Sequence, residues 1–168
     1  MKNAVRLTGF KELEASLSNL GAAVGKRVAR TALRKAADPM RDKAKELAPV
    51  DTGALRDSII IGNRLDGRQM RSLKKLSKDQ RSAVEMFMGP SYLKGDRGRH
   101  GHLVEFGTAP RLNGGLFKGS RHPGTAPQPF MRPAWDAEKE PTIERLRELL
   151  WAAIDRAAKR NARRAARG

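Results

Sequence analysis

The sequence contains no cysteine, only three histidines and few aromatic residues, which make up 5% of its 168 positions. Without cysteine the chain can form no disulfide, no thiolate metal site and no cysteine nucleophile. The hydrophobic fraction of 39% is low for a globular domain, and 32% of the residues are charged. These proportions predict a small core under a polar surface, or a fold that gains stability from neighbouring subunits.

Long apolar runs are also missing. Nowhere do about eighteen apolar residues follow one another, as a membrane-spanning helix requires, and the first ten residues lack the apolar core of a secretory signal. We therefore expect a protein that is made in a cytoplasm and has no membrane partner. Positive charge is abundant instead: 35 basic and 18 acidic residues give a net charge of +17. Such a charge opposes self-association unless an anionic partner or nucleic acid neutralises it.

Apolar residues at helical spacing predict three helices, at residues 10–20, about 22–47 and about 136–165. Pro39 lies inside the second helix and is expected to kink it rather than end it. The end of the third helix, about 156–168, carries six basic residues with no acidic residue among them: Arg156, Lys159, Arg160, Arg163, Arg164 and Arg167.

Two short apolar segments predict strands at 57–65 and 83–90. The segment 91–133 is rich in glycine and proline, which predicts a long loop with one strand or helical turn at 103–106. A loop of this length is usually functional or becomes ordered against a partner. The fold class is therefore expected to be α+β, with a single domain over residues 1–168. In it, a long N-terminal and a C-terminal helix pack on a small, mainly antiparallel sheet.

Few residues suggest catalysis. His102 and Glu105 would share a face of a helix, which raises metal binding or general acid–base chemistry. Against this, the sequence has no H-E-x-x-H, no G-x-S-x-G and no phosphate-binding glycine loop. We therefore predict that the protein is not an enzyme and has no catalytic residue, cofactor or metal. His102 and Glu105 are interpreted as loop residues of an assembly interface.

Two interpretations of the basic helix end stay open. Cations near a helix C-terminus are favoured by the helix dipole, so the six side chains could simply be solvated. Alternatively, they contact DNA phosphates or an acidic partner surface, which would make binding weaken as salt is added. Aromatic residues are too few for stacking on single-stranded bases.

Three segments in a fixed order resemble a known family. They are APVDTGALRDS at 48–58, HLVEFGT at 102–108 and PQPFMRPAW at 127–135. Their order and spacing resemble the lambdoid-type tail-component family of long-tailed bacteriophages, small proteins also described as tail-completion or neck proteins. The resemblance covers about residues 8–158. The family-motif positions in this chain are Asp51, Thr52, Gly53, Leu55, His102, Glu105, Phe106, Gly107, Thr108, Pro129, Phe130, Pro133 and Ala134.

The resemblance implies a non-catalytic virion protein of the head–tail junction or tail end, made in the cytoplasm of a bacterial host. It also implies assembly into a ring, expected to be a hexamer, next to tail-terminator, tail-tube and head-connector proteins. Packaged duplex DNA could then pass the basic residues in a central channel. The alternative function is a basic DNA-binding accessory protein without catalysis.

Overall fold

A computed structural model describes residue 15 and residues 22–63, 84–91 and 98–165 of the chain. Helices and short strands alternate along it, which confirms the predicted α+β class. In chain order, the elements are α1 (Ala22–Leu47), α2 (Ala54–Ser58), β1 (Ile59–Gly62), β2 (Phe87–Pro90), α3 (Gly101–Phe106), β3 (Arg111–Leu112), a 3₁₀ turn (Gly115–Phe117), β4 (Arg121–His122) and α4 (Met131–Ala165). The helix predicted at 10–20 lies outside the described residues except for Ala15.

Helix α1 has the predicted bounds and remains one helix through Pro39. Its buried face repeats every four residues, which places one side chain of each turn on the same face. This row consists of Ala32, Ala36, Met40, Ala44 and Ala48. The helix ends at Leu47, as predicted. The Leu47 side chain is 39% exposed, because the four-residue repeat of buried side chains continues at Ala48 instead.

The strands are shorter than predicted. β1 pairs with β2 in antiparallel register, Ile59 opposite Pro90 and Gly62 opposite Phe87. The prediction of a strand from 57 was wrong at its start: residues 57 and 58 belong to α2, which ends where the Ser58 hydroxyl donates to the Leu55 carbonyl at 2.6 Å. The prediction of a strand from 83 was wrong as well, because pairing begins only at Phe87, opposite the end of β1.

Contacts divide the chain into two compact units. The helical unit comprises Met1–Ala37, Asp79–Met86 and Glu140–Gly168, and the motif unit comprises Asp38–Lys78 and Phe87–Lys139. In the described part of the helical unit, a buried cluster consists of Ala32, Leu150 and Ile154, with Ala29, Leu146 and Leu149 packed against it. This confirms the predicted apolar face of the C-terminal helix. The expectation of a single domain stays a prediction.

The motif unit has its own core. Phe130 and Ile59 are its largest fully buried side chains, and small residues of α1 and α4 leave room for them. The buried cluster consists of Ala44, Ala48, Ile59, Phe130 and Ala134, with Leu55, Val104 and Met131 packed against it. Because β1 supplies Ile59, this core confirms that the helices pack on the predicted sheet.

The segment predicted as a loop contains two ordered parts. Residues 101–106 form helix α3, so the helical alternative for 103–106 is confirmed, and β3 pairs with β4 as an antiparallel arm. Helix α4 begins at Met131 rather than near 136, with Pro133 in its first turn, where proline is tolerated because the first amides of a helix lack partners. None of the helices in the described ranges is long and apolar enough to cross a membrane.

Candidate functional site

Glu105 is a buried acidic residue on α3, with 8% of its surface exposed. Its carboxylate accepts hydrogen bonds from three successive backbone amides at the start of α4: Phe130 at 2.8 Å, Met131 at 2.9 Å and Arg132 at 3.0 Å. The first amides of a helix lack partners within the helix and carry its positive end, so they suit a carboxylate. Glu105 therefore ties α3 to the beginning of α4.

Glu105 and His102 do not form the pair that metal binding or acid–base chemistry would require. His102 is exposed, whereas Glu105 is buried with both carboxylate oxygens accepting from α4. Across the described ranges, no three His, Cys, Asp or Glu side chains come close enough together to hold a metal ion. The arrangement gives Glu105 a role in joining two helices, which the loop interpretation in the sequence analysis missed.

The end of α3 is joined to a projecting arm, which we define as residues 108–125. Thr108 and Thr125 exchange backbone hydrogen bonds of 2.9 and 3.1 Å at its base. Gly107 precedes them with φ of 70°, and a Cβ built on it would lie 2.5 Å from the Thr125 carbonyl oxygen. Gly124 faces the Thr108 carbonyl oxygen as closely on the other side. Glycine is therefore required on both sides of the arm base by close backbone approach and by positive φ.

The segment Pro49–Gly53 forms the turn between α1 and α2. Gly53 has φ of 78° and its carbonyl accepts from the Asp57 amide at 3.0 Å. The Thr52 hydroxyl is 3.4 Å from the Ala54 amide. The Asp51 side chain is exposed and forms no hydrogen bond with described residues. Its carboxylate is therefore left facing solvent.

These pieces of the motif unit surround an open cleft of about 630 Å³. Apolar side chains of the turn and of α3 line part of it, together with several polar groups. Thr108 contributes a buried hydroxyl oxygen without a hydrogen-bond partner. The lining residues are Pro49, Val50, Asp51, Thr52, Gly53, Ala54, Leu55, His100, Leu103, Val104, Thr108, Arg111, His122, Thr125, Ala126 and Gln128.

The structure separates the predicted motif residues into three groups. Five of them line the cleft: Asp51, Thr52, Gly53, Leu55 and Thr108. A second group is buried beneath it, namely Glu105, Phe130 and Ala134, while His102, Phe106, Pro129 and Pro133 are exposed and Gly107 is half-buried. The first two segments of the resemblance thus form the cleft, and the third supplies Phe130 to the core.

Other residues at this surface were not identified from the sequence. Val50, His100, Arg111 and His122 line the cleft because the turn, the start of α3 and the arm converge there. We define the arm tip as residues 113–120, between β3 and β4. In it, Leu116 is 99% exposed and Phe117 is 73% exposed. The isolated apolar residues between Gly114, Gly115 and Gly119 were the only feature of the sequence that could have indicated an exposed apolar tip.

The basic end of α4 is partly compensated. Lys159 forms an ion pair of 2.8 Å with Asp155, one residue before the basic run, and Arg156 donates to the Ala152 carbonyl at 3.0 Å. Arg160 and Arg163 are exposed and form no ion pair with described residues. The side chains of Arg164 and Arg167 lie outside the described part of the chain. The expectation of six uncompensated charges is thus corrected for Lys159.

Comparison with known proteins gives one family. Residues 11–107 match the family described as "Bacteriophage HK97-gp10, putative tail-component". The match includes α1, the turn, both strands of the first sheet and α3, and it ends at Gly107, just before the arm. No curated protein and no solved structure matches the chain. Because more than half of the chain matches, the protein belongs to the HK97-gp10 family of bacteriophage tail components.

Proposed function

We propose that the protein is a non-catalytic subunit of a ring, expected to be a hexamer, at the head–tail junction or tail end of the virion. The observation that supports this proposal is the exposed apolar surface of the motif unit. Val50 at the cleft is 61% exposed, Phe106 at the end of α3 is 77% exposed, and Leu116 and Phe117 at the arm tip are exposed. Exposed apolar groups concentrated in one unit are typical of protein–protein contact sites.

The use of the motif residues supports the same proposal. Glu105, the buried motif residue best suited to acid–base chemistry, is held by three amides of α4 and fixes the fold. Its neighbours place a cleft and an arm side by side. A tail component of this family needs contacts with its own copies and with the tail-terminator, tail-tube and head-connector proteins. The cleft and the arm are two separate surfaces for such contacts.

The proposal is tested by the mass of the purified protein in solution. Light scattering at moderate salt, alone and with the tail-terminator protein of the same phage, should give a discrete ring-sized species in at least one of the two samples. Leu116→Asp should lower that mass, whereas Leu149→Asp, on the helical unit's core, serves as a control for unfolding. A protein that remains monomeric in both samples would contradict the ring.

A second function is favoured by the guanidinium groups of Arg160 and Arg163, which are exposed and form no ion pair with the residues that the structure describes. We propose contact between the basic end of α4 and duplex DNA, either in the channel of the ring or as an independent DNA-binding function. Lys159 should contribute less, since Asp155 already pairs with it. Each phosphate contact that is lost should lower the salt dependence of binding by about one counterion.

The DNA proposal is tested with a fluorescent duplex of random sequence. Replacing Arg160 and Arg163 by alanine should weaken binding about tenfold and flatten its salt dependence, because two phosphate contacts are removed. Replacing Arg132 and Lys139 at the other end of α4 removes the same charge and provides the matched control. Equal losses in both variants would indicate a response to net charge alone and would contradict a DNA site at the helix end.

A further inference from the structure

The arm has a defined tip rather than a loose loop. Beyond the β3–β4 pair, the Asn113 amide donates to the Ser120 carbonyl at 2.9 Å, and the Gly119 amide donates to the Asn113 carbonyl at 3.2 Å. The Asn113 side-chain amide also donates to the Ser120 hydroxyl at 2.9 Å. These bonds join residues of the tip to one another and hold its turn. A binding element fixed in this way loses little conformational freedom on docking.

The arm presents apolar side chains outward, at the tip and at Leu112, the last residue of β3. Leu116 is 99% exposed, and Leu112 and Phe117 are each 73% exposed. At roughly 150 Å² each, three such side chains supply about half of the 800 Å² that one partner buries in a specific interface. Large side chains held on a rigid turn resemble the anchors that dominate interface energetics.

The tip does not lie in the cleft of its own chain. The arm lines that cleft with residues of its base and of its two strands, Thr108, Arg111, His122 and Thr125, but with none of its tip. The cleft nevertheless offers an apolar wall made by Val50, Leu55, Leu103 and Val104, and its volume of about 630 Å³ can hold the side chains of a phenylalanine and a leucine. An apolar occupant from another molecule would fit it.

The charges of the arm and of the cleft indicate which molecule supplies this apolar occupant. The arm carries Arg111, Lys118 and Arg121, and no acidic residue occurs between Phe106 and Trp135. Among the described residues that line the cleft, Asp51 is the single carboxylate, and it forms no ion pair within the described part of the chain. The other fully charged residue of this described lining, Arg111, belongs to the arm itself. At the tip, the apolar Phe117 is followed by the basic Lys118, and at the cleft, the apolar Val50 is followed by the acidic Asp51. The two surfaces therefore offer an apolar pair and a pair of opposite charges.

We infer that the arm tip of one subunit docks into the cleft of a second copy of this chain, with Phe117 against Val50 and Lys118 beside Asp51. This inference rests on the ring proposed above and names the surfaces that join its subunits. The two surfaces differ, so the contact is head-to-tail, and a head-to-tail contact closes into a ring when its rotation permits.

Site-directed cross-linking tests the contact, and the absence of native cysteine makes it direct. Leu116→Cys and Val50→Cys are purified separately, mixed, and treated with a short bismaleimide. The mixture should form covalent dimers that join the two variants about tenfold faster than Leu116→Cys mixed with Val24→Cys, because docking raises the effective concentration of the paired thiols. Val24 is an exposed valine of the helical unit and provides the matched control.

The outcomes separate the contact from the ring. If the unmodified protein assembles but the Leu116→Cys and Val50→Cys variants link no faster than the control, the arm contact is wrong and the ring stands. Faster linking of Leu116→Cys to itself would indicate a symmetric contact and would also overturn the inference. If the unmodified protein stays monomeric at every salt concentration, both alone and with the tail-terminator protein, both proposals fail.

A charge exchange tests the Lys118–Asp51 pairing independently. Lys118→Glu or Asp51→Lys alone should weaken self-association about fivefold, because like charges then meet across the contact. The double variant should recover the affinity of the original protein in sedimentation equilibrium. If the double variant lost as much affinity for itself as the two single changes together, the pairing would be contradicted.

Discussion

Glu105 shows how one side chain can link segments that are distant in sequence. It accepts from the amides of Phe130, Met131 and Arg132, 25 to 27 residues further along the chain. The same contact stabilises the N-terminus of α4 and positions α3 beside it. A carboxylate in a family motif, near two histidines, thus has a structural role that its neighbours in sequence do not reveal.

Removing this carboxylate should destabilise the protein strongly. Glu105→Ala leaves three amides without their acceptor in a buried site, so we expect the free energy of unfolding to fall by about 2–4 kcal/mol, measured by urea denaturation followed by circular dichroism. Glu105→Gln, which keeps one acceptor oxygen, should cost less. Glu144→Ala breaks an exposed pair with Arg147 and should cost under about 0.5 kcal/mol. Equal losses for Glu105→Ala and Glu144→Ala would contradict the assigned role.

Gly107 gives a second prediction at the scale of a residue. Gly107→Ala places a Cβ against the Thr125 carbonyl and imposes positive φ on alanine, so it should destabilise the protein by about 2 kcal/mol or more. Gly114→Ala is the matched control, since its φ of −103° is ordinary and a Cβ there meets nothing within 4 Å. Thermal unfolding of both variants measures the difference. Unfolding of Gly107→Ala and Gly114→Ala at the same temperature would contradict the close approach of Gly107 to the Thr125 carbonyl at the arm base.

Among the elements, α4 combines two functions that different parts of its sequence serve. Phe130, just before α4, and Ala134 in its first turns lie in the motif-unit core, and its later turns supply Leu150 and Ile154 to the helical-unit cluster. The arm is the opposite case, because its tip has internal hydrogen bonds but contributes nothing to either cluster. One element therefore supports the fold, and the other is available for contacts.

A pair of phenylalanine substitutions should separate these roles. Phe130→Ala removes the largest fully buried side chain and should lower the free energy of unfolding by about 3–5 kcal/mol. Phe117→Ala at the arm tip should change the free energy of unfolding by less than about 0.5 kcal/mol, because the phenylalanine side chain is mostly exposed. It should instead reduce the mass of the assembled species. Chemical denaturation and light scattering on both variants measure the two effects. A large stability loss for Phe117→Ala would mean that the tip packs within its own chain.

For the whole molecule, the net charge of +17 sets how association responds to salt. Subunits with this charge repel one another, and raising the salt from about 0.1 to 0.5 M shortens the screening length about twofold. Self-association through apolar contacts should therefore strengthen with salt. Binding of duplex DNA should weaken over the same range because counterion release becomes less favourable.

Sedimentation velocity measures self-association and titration measures DNA binding, and both at the same salt concentrations check that their salt dependences are opposite. The Phe117→Ala variant provides the control, since it retains the full charge but should associate weakly at both concentrations. Self-association that weakened with salt would contradict an apolar contact and would indicate that oppositely charged surfaces hold the subunits together.

The sequence by itself determined the long helices and the α+β class. Periodic apolar residues specify a helix face through local geometry, so α1 and most of α4 could be predicted from spacing alone. The family could be predicted too, because its motifs are short contiguous segments. The strand limits were less accessible: residues 57 and 58 read as the start of a strand, but the turn at Gly53 begins a helix that includes them.

The tertiary structure decided how the motif residues are used. Phe130 is buried only because Ala44, Ala48 and Ala134 leave space around it, and Glu105 finds its partners only when α4 begins beside α3. The cleft and the arm also depend on backbone approaches at Gly107 and Gly124, between segments far apart in sequence. The spacing of apolar residues along the sequence shows which face of a single helix or strand is buried. Which surfaces meet depends on contacts between elements, and only the folded chain brings those together.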